Sequence, residues 1–337
     1  MELNIIYFNN SFQCSVKHIH SEIFFSLMDY RNNYFTSDNP DKIIEFYNGF
    51  ENREQIIRWM EERPKGVSNV LEVDGNKDII VVIPTVDFDG KFAKECRESI
   101  YKGLHIIFVE SGIDFYFNYA HNCNVGIRKA MAYNPKWVVV SNDDITSPSK
   151  SEDLIYELSK INNRLVNVVL NKESKQSATK YSVCKFTILG KFIYFNVKYL
   201  RLIEIVNEIQ RIFLNSIKFN RKLGNKYFII VSGKSFFNLF IKRIYSYYNF
   251  EAFGIFSGEY IKNNQRFFDE TYINAHEDQD VSIILNKDPS KIAWITNYRF
   301  EGMGGVNLGT NLQRGLRTVA SDCYLNYKLE QGLLIDI

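Results

Sequence analysis

The chain has 337 residues, 45% of them hydrophobic and 24% charged, a balance that excludes disordered, collagen-like and disulfide-scaffold classes. Lys and Arg number 41 against 39 Asp and Glu, a net charge of +2, so there is no global attraction to nucleic acid and none is expected as a partner. The length suits one large α/β domain or two average ones, and no apolar run reaches the ~18 to 20 residues of a membrane-spanning helix.

The N-terminus, Met1-Glu2-Leu3-Asn4-Ile5-Ile6, carries an early acid and neither a basic leader nor a cleavage pattern, so a cytoplasmic location is expected. Cys14, Cys96, Cys123, Cys184 and Cys323 are scattered, without a Cys-x-x-Cys pair or a nearby His at finger spacing. Free buried thiols are the reading, not zinc or a disulfide framework. Residues 1–76 form an N-terminal extension packed on the core. A short apolar run at 3–8 is followed by helical patterns at 21–30 and 41–62. The second is opened by Asn39-Pro40-Asp41 and closed by Arg63-Pro64-Lys65-Gly66, good chemistry for a helix start and stop.

Residues 78–84, Asp-Ile-Ile-Val-Val-Ile-Pro, are a continuous β-branched run ended by Pro84, the signature of a strand buried on both faces. An amphipathic stretch at 91–102 ends at Gly103, an apolar run follows at 104–109, and a helical pattern at 120–133 stops at Asn134-Pro135. Another apolar run at 137–140 and a helical pattern at 153–161 keep the rhythm. Strand and helix alternate at the length of βαβ units, which predicts an α/β fold with a mostly parallel central sheet and helices on both faces. Ligands on such sheets sit outside the carboxyl ends of the strands. The polar residues there are Thr85 and Asp87, then Glu110 and Ser111, then Asn142, Asp143 and Asp144.

Between 180 and 226 ten basic residues stand against only Glu204 and Glu208, interleaved with aromatics. Three readings are open for this block: an insertion (about 165–226) packed on the sheet, an acceptor-site element, or a peripheral contact with an anionic membrane surface. A strand pattern at 227–231, a helix-like pattern at 234–248 and an acidic cluster within 267–285 come next. The tail, 311–337, has few local signals and reads as a segment wrapping the domain.

Two neighbouring carboxylates after an apolar strand suit a hard divalent cation bridging a diphosphate; the same triplet also suits a turn capping the next helix. The surrounding sequence bears on that choice. Ala120-His121-Asn122-Cys123-Asn124-Val125-Gly126-Ile127, then Asn142-Asp143-Asp144, resembles the Asn-x-Gly-Ile helix and D-x-D strand of family 2 glycosyltransferases. Val82-Ile83-Pro84-Thr85 resembles that family's first strand and its exit, and Val109-Glu110-Ser111-Gly112 its second. Phe268-Asp269-Glu270 with His276-Glu277-Asp278-Gln279-Asp280 resembles its downstream acidic segment. The pieces fall in family order over about 78–305.

The resemblance implies a GT-A (Rossmann-like) fold occupying 77–310, a nucleotide-sugar donor (UDP-, GDP- or dTDP-linked), a glycan, protein or lipid-linked acceptor, and Mn²⁺ or Mg²⁺. Carried over by position, Pro84, Thr85, Asp87, Glu110, Asn124, Asn142 and Asp143 line the donor site, with Glu110 accepting from the base and the Asn142 amide replacing the usual first Asp. Asp144 becomes the metal ligand, Asp278 the general base of an inverting displacement, and Glu277 its assistant. The family's further metal-ligating His is absent from 298–305, where Glu301 could substitute. The helix-terminus reading of 277–280, carboxylates favoured by the macrodipole, stands beside the catalytic one.

Gln55-Ile56-Ile57-Arg58-Trp59 imitates an acceptor motif of processive synthases but lies before the D-x-D position rather than after the base, and is read as coincidence. Gly233-Lys234-Ser235 lacks the earlier Gly of a phosphate loop, since Phe228 stands there. A non-catalytic nucleotide- or carbohydrate-binding protein of the same fold is the alternative from another class. The alternative enzyme is a nucleotidyltransferase, which would carry a Gly-rich loop where this chain has Pro84-Thr85-Val86-Asp87-Phe88-Asp89.

Overall fold

The structure, a computed structural model, describes residues 31–146, 148–161, 165–174, 177–188, 228–232, 241–264, 267–273, 275–302 and 311–335. Most of the basic aromatic block, the Gly233-Lys234-Ser235 segment, the 3–8 and 21–30 patterns and the Met303–Gly305 end of the glycosyltransferase-like stretch lie outside the described residues.

A seven-stranded sheet is central, in the order β1 (Asn69–Val73), β3 (Leu104–Glu110), β2 (Asn76–Thr85), β4 (Trp137–Ser141), β10 (Phe253–Ser257), β6 (Val168–Asn171), β11 (Ile292–Ile295). β3, β2 and β4 are mutually parallel, as are β6 and β11, while β1 and β10 run antiparallel to their neighbours. The sheet is therefore mixed and largely parallel in direction. The β-branched run is what buries it: Ile79, Ile80, Val81, Val82 and Ile83 are each no more than 4% exposed, contributing ~1.5 to 3 kcal/mol apiece relative to solvent exposure.

Period-two alternation sends those side chains to two cores. Ile79, Val81 and Ile83, with Ile106, Phe108 and Val139, pack under α3 (Lys91–Glu95), the π turn Cys96–Ile100 and α5 (Ser151–Ser159). Ile80, Val82, Ile107, Val109 and Val138 pack under α4 (Tyr119–Met131), α6 (Gly258–Asn263) and α7 (Glu277–Leu285). Helices thus cover both faces, as the alternation predicts. α4 lies tight on the sheet because position 126 is glycine: a Cβ there would meet Val82 Cγ1 at 2.3 Å and Val109 Cγ2 at 2.9 Å.

A third core joins residues 35–60 to residues 316–335. Helices α1 (Pro40–Asn48) and α2 (Arg53–Glu62) pack with α8 (Asn311–Glu330) and with a small antiparallel sheet ordered β8 (Phe228–Ser232), β7 (Thr179–Phe186), β9 (Ile241–Asn249). The single helical pattern at 41–62 is in fact two helices, because Gly49 closes the first and the Asn52 side chain caps the second by accepting from Gln55 N at 3.0 Å. The helix-like pattern ending at 248 is corrected to strand β9, paired along its length with β7. The tail contains α8, a 20-residue helix packed on α1 and α2. Among the described residues no helix is long and apolar enough to cross a membrane.

Candidate functional site

The chain leaves β2 toward β3 on one side and then enters β4 on the other. This is a topological switch point, where open α/β sheets hold ligands. At the end of β2, Thr85 is buried and donates through Oγ1 to Asp143 Oδ2 at 2.7 Å, so the exits of β2 and β4 are tied together. Pro84 is buried in register with Val109 of β3, and Asp87 is exposed in the turn beyond. Glu110 closes β3 and accepts the Phe88 backbone N–H on Oε1 at 2.9 Å. Ser111 N and Gly112 N continue the pairing past the strands, donating to Thr85 O and Val86 O at 3.0 and 3.1 Å. Gly112 has φ +57, a conformation that favours glycine.

Asn142 and Asp143 are half-buried and Asp144 is buried. Burial, then the charge of Asp144, pushes the Asp143 carboxyl above its ordinary value. After Asp144 the short strand β5 (Ile145–Thr146) pairs antiparallel with β12 (Glu301–Gly302), setting Glu301 opposite Thr146. Glu301 thus comes beside the strand after the acidic turn from 155 positions away, although among the described residues no three Asp, Glu, His or Cys cluster as a cation site. The acidic element is a pair, Asp143 and Asp144.

The second acidic cluster opens α7. His276 precedes it with φ 72 and is held by Gln279 and Asp322, at 2.8 and 2.9 Å. Asp278 Oδ2 accepts from Asn249 Nδ2 at 2.6 Å, and Asn249 Oδ1 accepts from Ser282 Oγ at 2.6 Å. Glu277 is buried and its Oε2 has no hydrogen-bond partner; burial, then the charge of Asp278, raises its carboxyl to about 7. Asp280 is structural: Lys328 reaches its Oδ2 at 2.5 Å and Asp269 Oδ2 at 3.0 Å, clamping α8 to α7 and to the preceding loop.

Tyr119 is bonded at the exit of β4. It is the first residue of α4, and its hydroxyl donates to Asn142 Oδ1 at 2.8 Å. Burial first, then the charges of Cys123, Glu277 and Asp278, push its phenol well up. Asn124, expected at the donor, has its amide engaged: Nδ2 donates to Phe268 O and Glu270 Oε1, both at 2.9 Å, and Oδ1 accepts from Phe268 N at 3.0 Å. Its place is under the 268–270 segment, which His121 also grips through Glu270 at 2.8 Å.

Thr85, Glu110, Asn142, Asp143 and Asp144 therefore share the carboxyl ends of three adjacent strands, while Glu277 and Asp278 stand at the head of α7. Tyr119 and Asn249 were not legible as site residues. Tyr119 lies one position before the helical motif, and Asn249 ends a segment whose spacing imitates a helix. Compared with protein-family models, curated proteins and solved structures, the chain matches none.

Proposed function

We propose that the chain is an inverting glycosyltransferase of GT-A type, transferring a sugar from a nucleotide-sugar donor to an acceptor hydroxyl. One observation carries the reading: the switch point brings the exits of β2 and β4 together through the Thr85–Asp143 bond of 2.7 Å, and a second carboxylate pair, Glu277 and Asp278, opens α7 more than 130 positions later. Such a displacement needs two acidic elements, one where the diphosphate leaves and one where the acceptor loses its proton.

In this reading the loops after β2 and β3 take the nucleotide. Glu110 keeps Oε2 for a base N–H while Oε1 holds the Phe88 amide. Asn142 meets the ribose through its amide, and Thr85 fixes Asp143. Asp143 and Asp144 fit a hard divalent cation: two neighbouring carboxylates, one raised by burial and by the other's charge, would hold it together with diphosphate oxygens and water. Mn²⁺ or Mg²⁺ held there would supply charge neutralisation for the departing diphosphate. Asp278, with Oδ2 occupied by Asn249, takes the acceptor proton on Oδ1. The acceptor oxygen forms its bond to the anomeric carbon, and the carbon–oxygen bond to the diphosphate breaks, its electron pair leaving with the nucleotide. Attack opposite the leaving group inverts the configuration.

A binding-only protein of the same fold is the second reading, favoured by Asn142 in place of an acid. A thermal-shift and calorimetric screen of nucleoside diphosphates and nucleotide sugars, with and without Mn²⁺, separates the two. Metal-dependent binding of one nucleotide followed by sugar transfer is expected, and Asp278→Asn should lower turnover ~10² to 10⁴-fold with donor affinity retained. Tight binding with no transfer to any acceptor establishes the second reading; no nucleotide binding at all removes both.

A further inference from the structure

A cleft apart from the switch point has a chemistry of its own. Trp294, next to last in β11, meets Tyr248 of β9 edge to face, centroids 4.9 Å apart and planes at 87°. Lys172, directly after β6, carries its ammonium 5.2 Å from the Trp294 centroid, and Lys180, opposite Tyr248 in the β7–β9 ladder, lies 5.7 Å from the Tyr248 centroid. Lys172, Ala178, Tyr248 and Trp294 line an open cleft of about 410 Å³, a volume within the range of small-molecule sites. Ala178 holds φ +58, a costly conformation for a residue with a Cβ. Both lysines are exposed, and among the described residues neither forms an ion pair.

We propose that this cleft binds an acidic saccharide, a sugar ring bearing a carboxylate. The two rings make a corner, not a parallel slot, so a flat nucleobase cannot be sandwiched between them. A sugar ring can lay its polarised C–H face on one aromatic face, which is electrically negative, and its rim against the other. Its carboxylate then pairs with the lysines, whose hold on the aromatic faces is weak enough at an exposed site to exchange for a charge-assisted hydrogen bond. A neutral sugar would gain only the stacking. The inference does not depend on the transferase reading, since it concerns binding at residues outside the switch point.

The chain provides its own reporter. Of its three tryptophans, Trp59 and Trp137 are 4% and 1% exposed, so a ligand-induced change in tryptophan emission reports Trp294. Trigalacturonate should give a saturable emission change that weakens with added salt, whereas galactotriose and uridine monophosphate should bind at least tenfold more weakly. By calorimetry, Lys172→Ala/Lys180→Ala, a substitution of two exposed side chains, should lose at least tenfold in affinity for trigalacturonate, and Trp294→Phe should lose several-fold. Equal binding of galactotriose, stronger binding of the nucleotide, no saturable response to trigalacturonate, or unchanged affinity in the double-lysine variant would each overturn the proposal.

Discussion

Glu277→Gln isolates the effect of burial on the group at the head of α7. Its carboxyl is raised from 4.5 to about 7 by burial and then by Asp278, so the folded chain holds this proton more tightly than the unfolded chain does. At ~1.4 kcal/mol per pH unit the difference amounts to ~3 kcal/mol. Below the unfolded value both states are protonated and the group is neutral to stability. As pH rises toward 7 the unfolded chain has released the proton and the folded chain has not, so stability falls; above 7 the full ~3 kcal/mol is lost. Gln has nearly the same shape and no proton to lose. The stability of the variant relative to the wild type should therefore improve by up to ~3 kcal/mol between pH 4 and pH 8. Urea unfolding at constant ionic strength across that range measures it, with m unchanged as the check that the same surface is exposed. A difference that stays flat across the range would refute the assignment of a buried, unpartnered carboxyl. Asp278→Asn, which deletes the second cause, should shrink the effect without abolishing it.

Gly126→Ala should cost ~1 to 3 kcal/mol, because its Cβ would sit 2.3 Å from Val82 Cγ1; thermal melts of the pair measure the loss. Arg63 donates to the carbonyl oxygens of Phe115, Tyr116 and Phe117 from a buried position. Arg63→Ala should therefore cost ~3 kcal/mol and raise amide hydrogen exchange across the loop after β3. Lys328→Met leaves Asp269 and Asp280 without their cation, a loss of ~3 to 5 kcal/mol. Because burial already raises Asp280, that loss should lessen at acid pH, as urea melts at pH 4 and pH 7 would record.

What the sequence made legible was the sheet's centre. β2, β3 and β4 are continuous β-branched or apolar runs, and such runs belong to strands covered on both faces. Their exits carried the site residues because the chain turns there. β9 was illegible for a physical reason: Ile241, Ile244, Tyr245 and Tyr248 recur at helical spacing, but the antiparallel ladder with β7 decides the conformation. β1 has a burial pattern that is mostly exposed, so it carries no strong apolar signal and is an edge strand by pairing alone. In α8 the core face is present at Leu316, Val319, Ala320 and Tyr324, with Gly315, Thr318 and Ser321 diluting the helix propensity around it. The roles of Tyr119 and Asn249 depend on partners far along the chain, Asn142 and Asp278, and local pattern does not encode such contacts.

The head of α7 shows how one turn can assign different work to similar groups. The helix macrodipole favours all three carboxylates of the first turn, so it cannot distinguish them; their partners do. Asp280 meets Lys328 and the Tyr272 hydroxyl and is committed to holding the helix. Asp278 accepts one amide N–H on Oδ2, which fixes its rotamer. Glu277, buried with Oε2 unpartnered, is the carboxyl that retains its proton toward neutrality, and in that form it adds no second negative charge beside Asp278. The clamp on Asp280 comes from Lys328 of α8, which packs with α1 and α2 in the third core. Loosening α8 should therefore be felt first at Asp280 and through it at the first turn of α7.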